Sequence, residues 1–85
     1  MAADRKLGDV ATKHLFENDK VRVWEMELDP GQSSDVHEHK LDYLLIQLEG
    51  DVAPGNVIFI ERGGIETAKN TGQRRYREIL VELKD

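Results

Sequence analysis

The chain has 85 residues, 39% hydrophobic and 34% charged, with 12 basic against 17 acidic side chains and a formal net charge of -5. That length holds a single hydrophobic core, and the apolar share is too high for a disordered chain. With no cysteine, disulfides, thiolate chemistry and iron–sulfur sites are excluded, and the acidic balance is a poor match to a phosphate backbone. A core this small needs a further staple, and without cysteine the remaining ones are a metal ion or a second chain.

Residues 1–13 are polar and of mixed charge. They read as a loosely held arm in front of one domain spanning residues 14–85, and as neither a signal peptide nor an amphipathic anchor. No apolar run approaches the roughly 18 residues that cross a bilayer. The expectation is a cytoplasmic protein with no nucleic-acid or membrane partner. Residues 20–29 alternate, with Trp24, Met26 and Leu28 on one face and Glu25 and Glu27 on the other. Trp24 reads as core, and His14, upstream of this strand, as exposed. Asp29-Pro30-Gly31 ends the strand in a type II turn. A polar stretch, residues 32–40, then carries Ser33, Ser34 and His37-Glu38-His39.

Residues 42–49 form a second strand with apolar residues on both faces, closed by Gly50 and Asp51. After the turn Ala53-Pro54-Gly55, residues 56–60 read as a short strand of the buried type, broken by Gly63-Gly64. Residues 66–70 form another strand, and Asn70-Thr71-Gly72 reads as a hairpin turn. The last strand, residues 75–83, places Arg77, Ile79, Val81 and Leu83 on one face and Tyr76 and Leu80 on the other. Arg74, Arg75 and Arg77 read as the solvated end of that hairpin. No window has a helical period. Short strands at this spacing indicate an all-β sandwich or barrel.

The chemistry centres on His37 and His39. Residues two apart on a strand share a face, so both imidazoles converge, and imidazole is a good ligand for first-row transition metals. The bland alternative is two surface histidines in a polar loop. Ser33 and Ser34 lie close by, but no oxyanion-hole signature accompanies them, so a Ser–His nucleophile is set aside.

The wider layout resembles the two-motif pattern of the cupin superfamily. Gly31, His37, His39 and Gly50 stand where the first cupin motif has glycine, His-x-His and glycine, while Tyr43 occupies the place of that motif's glutamate. Gly55, Gly63 and Asn70 stand at glycine and asparagine positions of the second motif. There Glu61 replaces its proline and Glu66 its histidine. The resemblance covers residues 20–83 and implies a double-stranded β-helix, the jelly-roll barrel, truncated between the motifs.

It also implies a ligand set of His37, His39 and Glu66. Two imidazoles and a carboxylate bind a divalent transition metal (iron, manganese, nickel or zinc) and leave positions open. The alternative is that Glu66 pairs with a nearby cation and no metal binds. Tyr43 is the candidate catalytic residue, as a weak fourth ligand or a hydrogen-bond donor to substrate. Asp42, one residue out of register, should face away. Between the motifs only residues 51–54 remain, enough for a hairpin loop but not for the strand pair that cupins normally carry there. The strand bearing Glu66 should therefore present an open edge. A homodimer, with or without exchanged strands, is expected to cover that edge and the apolar outer faces. The function implied is that of a metal-binding cupin, as an oxygenase, isomerase or lyase on a small organic acid. The alternative is a non-catalytic ligand-binding or structural cupin with a vestigial metal site.

Overall fold

Alternating apolar side chains separated by glycine turns produce seven short strands and no helix in the computed structural model, which describes residues 8–85. The strands are β1 (Lys13–Glu17), β2 (Val21–Leu28), β3 (His37–Glu38), β4 (Tyr43–Glu49), β5 (Asn56–Ile60), β6 (Ile65–Glu66) and β7 (Tyr76–Leu83). Five of them form an antiparallel sheet in the order β1-β2-β7-β4-β5, and β3 pairs with β6 in a separate two-stranded ribbon. Among the described residues no helix is long and apolar enough to cross a membrane.

Period-two alternation decides what the large sheet buries. Trp24, Met26 and Leu28 of β2, Tyr43 of β4 and Leu80 of β7 face inward and form the core, joined by Val10 and Ala11. Burying each large apolar side chain contributes about 1.5–3 kcal/mol. Two carboxylates share this inner face. Glu78 and Glu82 are both buried, on either side of Leu80. The Trp24 indole N–H donates to Glu82 at 2.7 Å, and Arg22 approaches the same oxygen at 3.4 Å. The Tyr76 hydroxyl donates to Glu78 and itself accepts from Gln47 Nε2 at 3.2 Å. A buried carboxylate persists only with such partners.

The outer face is also apolar. By register, Phe16 opposes Val23, Val23 opposes Val81, Val81 opposes Leu44 and Leu44 opposes Phe59, one row across all five strands. Ile79, Ile46 and Val57 form a parallel row. Phe16, Val57 and Phe59 are each more than half exposed.

The short connection between the motifs is a hairpin. β4 and β5 pair antiparallel, and Gly55 N–H closes the loop onto the Gln47 carbonyl at 2.6 Å. Gly50 opens the loop at φ 121°, and a Cβ there would meet the Tyr76 ring at 3.2 Å, so both conformation and space call for glycine. β5 departs from the buried type expected for residues 56–60. Among the described residues no strand lies beyond it, and all but Ile60 are exposed.

Of the expected arm over residues 1–13, residues 1–7 lie outside the described part. From Gly8 onward the chain is packed. Gly8 N–H donates to the Val36 carbonyl at 2.8 Å, and Thr12 N–H to the Glu25 carbonyl at 3.0 Å. Val10 and Ala11 thus cross the barrel end between the ribbon and the large sheet.

Leu80, 1% exposed at the centre of the core, should be the most sensitive apolar position. Leu80→Ala is expected to lower unfolding free energy by about 2–5 kcal/mol in urea denaturation, whereas Glu61→Ala in the exposed loop after β5 should change it by less than about 0.5 kcal/mol.

Candidate metal centre

The ribbon that carries the histidines is longer than its two formal strands. Outside β3 and β6, Gly31 N–H reaches the Asn70 carbonyl, Ser34 N–H the Ala68 carbonyl, and Gly63 N–H the His39 carbonyl, each at 2.8 Å. Gly63 and Gly64 have φ of 113° and 82° and turn the chain into the second arm. Ser34 acts as a clamp, its hydroxyl accepting from Ala68 N–H at 2.9 Å. Asn70 anchors the far end, its buried amide donating to the Leu28 and Arg74 carbonyls at 2.9 and 2.8 Å.

This pairing sets His37 directly opposite Glu66, and strand alternation puts His39 on the same face as His37. The outcome is a cluster of two imidazoles and one carboxylate. His37 Nε2 lies 3.0 Å from His39 Nε2, His39 Nε2 lies 3.1 Å from Glu66 Oε1, and His37 Nε2 lies 3.9 Å from that oxygen. The imidazoles are 2% and 3% exposed, whereas the Glu66 side chain is 60% exposed. No Lys or Arg pairs with Glu66 among the described residues; its close partners are the two histidines.

Hydrogen bonding selects the ligand form of His37. Its Nδ1 lies 2.8 Å from the Asp35 carbonyl. A carbonyl only accepts, so Nδ1 carries the proton and the neutral ring keeps a lone pair on Nε2. His39 Nδ1 is buried without a partner, and all of that ring's polar contacts run through Nε2. Burial, and next the neighbouring His37, push His39 below its ordinary pKa of 6.5, against the pull of Glu66. The unprotonated ligand form therefore persists at neutral pH.

These residues fit a metal ion. Ligands held about 2.0–2.2 Å from an ion at right angles lie about 3 Å apart, which matches two of the three spans. The longest span ends on Glu66, the solvent-side member. His37, His39 and Glu66 also make up a metal-capable group within which the ligand atoms all lie within 4.8 Å of one another.

Tyr43 is buried beside this cluster. Its ring stacks on His39 with centroids 4.0 Å apart and planes 15° apart. Burial first, then Glu66 and Glu78, push its hydroxyl up to about 12, so at neutral pH it is a hydrogen-bond donor and not a phenolate. Asp42 faces away, accepting from Arg62 N–H at 2.8 Å. His14, half-exposed, lies edge-on to Trp24 and near Glu17, remote from this cluster. Arg75 and Arg77 are engaged with Glu49, Glu25 and Glu27.

Sequence reasoning missed Glu78, which lines the same small cavity of about 90 Å³ as His37, His39, Tyr43 and Glu66. The signal was the alternation of β7. Glu78 lies between Tyr76 and Leu80 on one face, but a carboxylate there reads as solvent-facing. Burial, opposed by the Tyr76 hydrogen bond, raises its pKa above the usual carboxylate value.

The chain matches no family model and no curated protein. Its likenesses are to solved structures. A cupin domain from Bordetella pertussis Tohama I superposes with a TM-score of 0.75 at 17% identity, covering 92% of this chain and 100% of that one. A Cupin 2 conserved barrel domain protein from Salinispora arenicola CNS-205 gives 0.69 at 19% identity over 99% and 83% of the two chains. A cupin superfamily protein from Desulfitobacterium hafniense DCB-2 gives 0.67 at 20% identity over 96% and 84%. Likeness at this identity is likeness of fold, and the fold of this chain is that of a small cupin barrel.

The chain's two tyrosines provide a direct check on the interior. Tyr76, like Tyr43, is raised to about 12, by burial and then by its bond to Glu78. A folded-state pKa above the ordinary value of about 10 means stability that is complete below pH 10 and lost as pH rises toward 12. Ultraviolet titration should show almost no tyrosinate at pH 10 in folded protein and about half-ionisation at pH 10 in urea.

Proposed function

We propose that this cupin barrel binds a divalent transition metal (iron, manganese, nickel or zinc) through His37, His39 and Glu66, and acts on a small organic acid. The observation that carries this reading is the convergence of two buried imidazole Nε2 atoms on one carboxylate, with His37 Nδ1 pinned to a carbonyl. A bound ion would serve as a Lewis acid or oxygen-binding centre at its open positions, and isomerase, lyase and oxygenase chemistry all draw on that property.

The residues around the cluster have distinct roles in this reading. Asp35 fixes the plane and tautomer of His37. Tyr43 holds the His39 ring by stacking and keeps its proton, so its hydroxyl donates to a bound ligand and does not act as a base. Val10, Met26 and Leu80 wall the small cavity with apolar surface, which lowers the local dielectric and strengthens polar contacts inside. The exposure of Glu66 favours one second reading, a centre that binds a ligand without turning it over. Oxygen uptake or product formation with candidate acids by metal-loaded protein separates the two.

Metal analysis of freshly purified protein should find about one ion per chain in the wild type and background levels in a His37→Ala, His39→Ala double variant. Equal, negligible metal in both would overturn the proposal. Retention should fall as pH drops, where protons compete with the ion for His39, and the lowered pKa of that ring holds this loss below its ordinary value of 6.5.

We also propose that the outer face of the large sheet pairs with a second copy of the chain. The apolar row from Phe16 to Phe59 crosses five strands, roughly 19 Å at ordinary strand spacing. A contiguous apolar row of this kind is the surface character of a protein–protein contact. Next to it Glu25, Glu27, Arg75 and Arg77 neutralise one another, so the face offers little net charge to an ionic partner and suits a like surface. Light scattering should give a dimer mass, and Phe59→Lys should shift it to monomer. A monomer mass at every concentration would remove this interface.

A further inference from the structure

A second, larger cavity of about 440 Å³ adjoins the candidate metal centre. Glu78 and Ala68 line both spaces, so the two meet at β7 and the second arm of the ribbon. The larger space has a lining that mixes apolar Leu28, Val52 and Ala68 with a hydrogen-bonded chain in which Gln47 donates to Tyr76 and Tyr76 to Glu78. At its rim stand Lys69 and Arg74.

Arg74 is unusual in this acidic chain. Arg22 pairs with Glu17 and Glu82, Arg62 with Asp42 and Asp85, Arg75 with Glu49 and Glu27, and Arg77 with Glu25 and Glu27. Arg74, like Lys69, forms no salt bridge with a carboxylate among the described residues, although Glu49 lies within range of its charge. Its backbone is nonetheless fixed at the edge of the cavity, because its carbonyl accepts from the buried Asn70 amide at 2.8 Å. Lys69 is held likewise, bridged to Ser33 across the ribbon. The one acidic side chain at the rim, Asp51, sits against Gly72 and pairs with neither cation.

We propose that this cavity is the ligand pocket, and that it takes a small carboxylic acid whose carboxylate docks on Arg74 and Lys69. The acid's other end then lies at Glu78, on the way to the histidines. The inference rests on the proposed function for the role of that far end, but docking at the rim does not need the metal. A guanidinium offers a planar pair of N–H donors that match a carboxylate, and Lys69 adds a point charge. Glu78 receives the hydroxyl or amide end of a ligand by hydrogen bonding. The rim thus selects for anionic ligands in a chain whose net charge of -5 otherwise repels them.

The test is isothermal titration calorimetry with acetate, glycolate and succinamate as probes and neutral succinamide as control, on chelator-treated and on metal-loaded protein. At least one of the three acids should bind at millimolar concentration or tighter, and succinamide at least tenfold more weakly. Arg74→Gln should weaken acid binding by about 10- to 100-fold, with partial recovery in Arg74→Lys. Lys13→Gln on the far edge strand should leave it unchanged, which excludes a general effect of charge. Melting curves of each variant confirm folding. Saturation by none of the acids, equal affinity for succinamide, or an Arg74→Gln protein that binds like wild type would overturn the inference. Metal retention without Arg74-dependent acid binding sinks this proposal alone. Arg74-dependent acid binding without metal retention leaves it standing and sinks the metal reading.

Discussion

The register of the ribbon is the constraint on which the rest of the site depends. His37 opposes Glu66, and the strand period of two brings His39 round to the same side. A slip of one residue would turn both imidazoles out of the barrel. The formal strands are only two residues each, too short to hold a register by ladder bonds alone. The register is secured at both ends instead. Gly63 and Gly64 set the turn at one end, and the buried Asn70 amide ties the other to β2 and to the start of β7. The Ser34 hydroxyl braces the middle.

The large sheet supplies what the ribbon lacks. Its inner face is not uniformly apolar, since Glu78 and Glu82 flank Leu80 on β7. Each carboxylate is held by an aromatic donor, the Trp24 indole or the Tyr76 hydroxyl. Such arrangements cost desolvation, and a core of leucines in their place would be at least as stable. Glu82 ties the β2 end of the core to β7. Glu78 stands where the two cavities meet, and its burial keeps it inclined to protonation. Stability alone does not account for a carboxylate there; a ligand that hydrogen-bonds to it would.

Much of this was legible in the chain itself. The alternation of Trp24, Met26 and Leu28, the glycine and proline turns, and the His-x-His pair led to an all-β sandwich or barrel with converging imidazoles, and the resemblance to cupins chose the barrel. The short loop between β4 and β5 had to be a hairpin, because residues 51–54 have room for nothing else. Three features were not legible. Val10 and Ala11 lie in a polar context, and it is the flanking bonds of Gly8 to Val36 and of Thr12 to Glu25 that make them part of the barrel. Residues 56–60 look buried by composition, and become exposed because, among the described residues, no strand lies beyond them. Glu78 looks solvent-facing until Tyr76 is seen beside it.

By itself the sequence determined most of the strands, though not β1 (Lys13–Glu17), together with the turns and the pairing of His37 with His39, because these follow from side-chain alternation and backbone conformation over a few residues. Only the tertiary structure decided which face of β7 turns inward, which arginine among the described residues forms no salt bridge, and how close Glu66, placed in the ligand set by the resemblance to cupins, comes to His39, at 3.1 Å. Those outcomes depend on segments far apart in the chain. His39 and Glu66 are 27 residues apart, and no local period carries information across that distance.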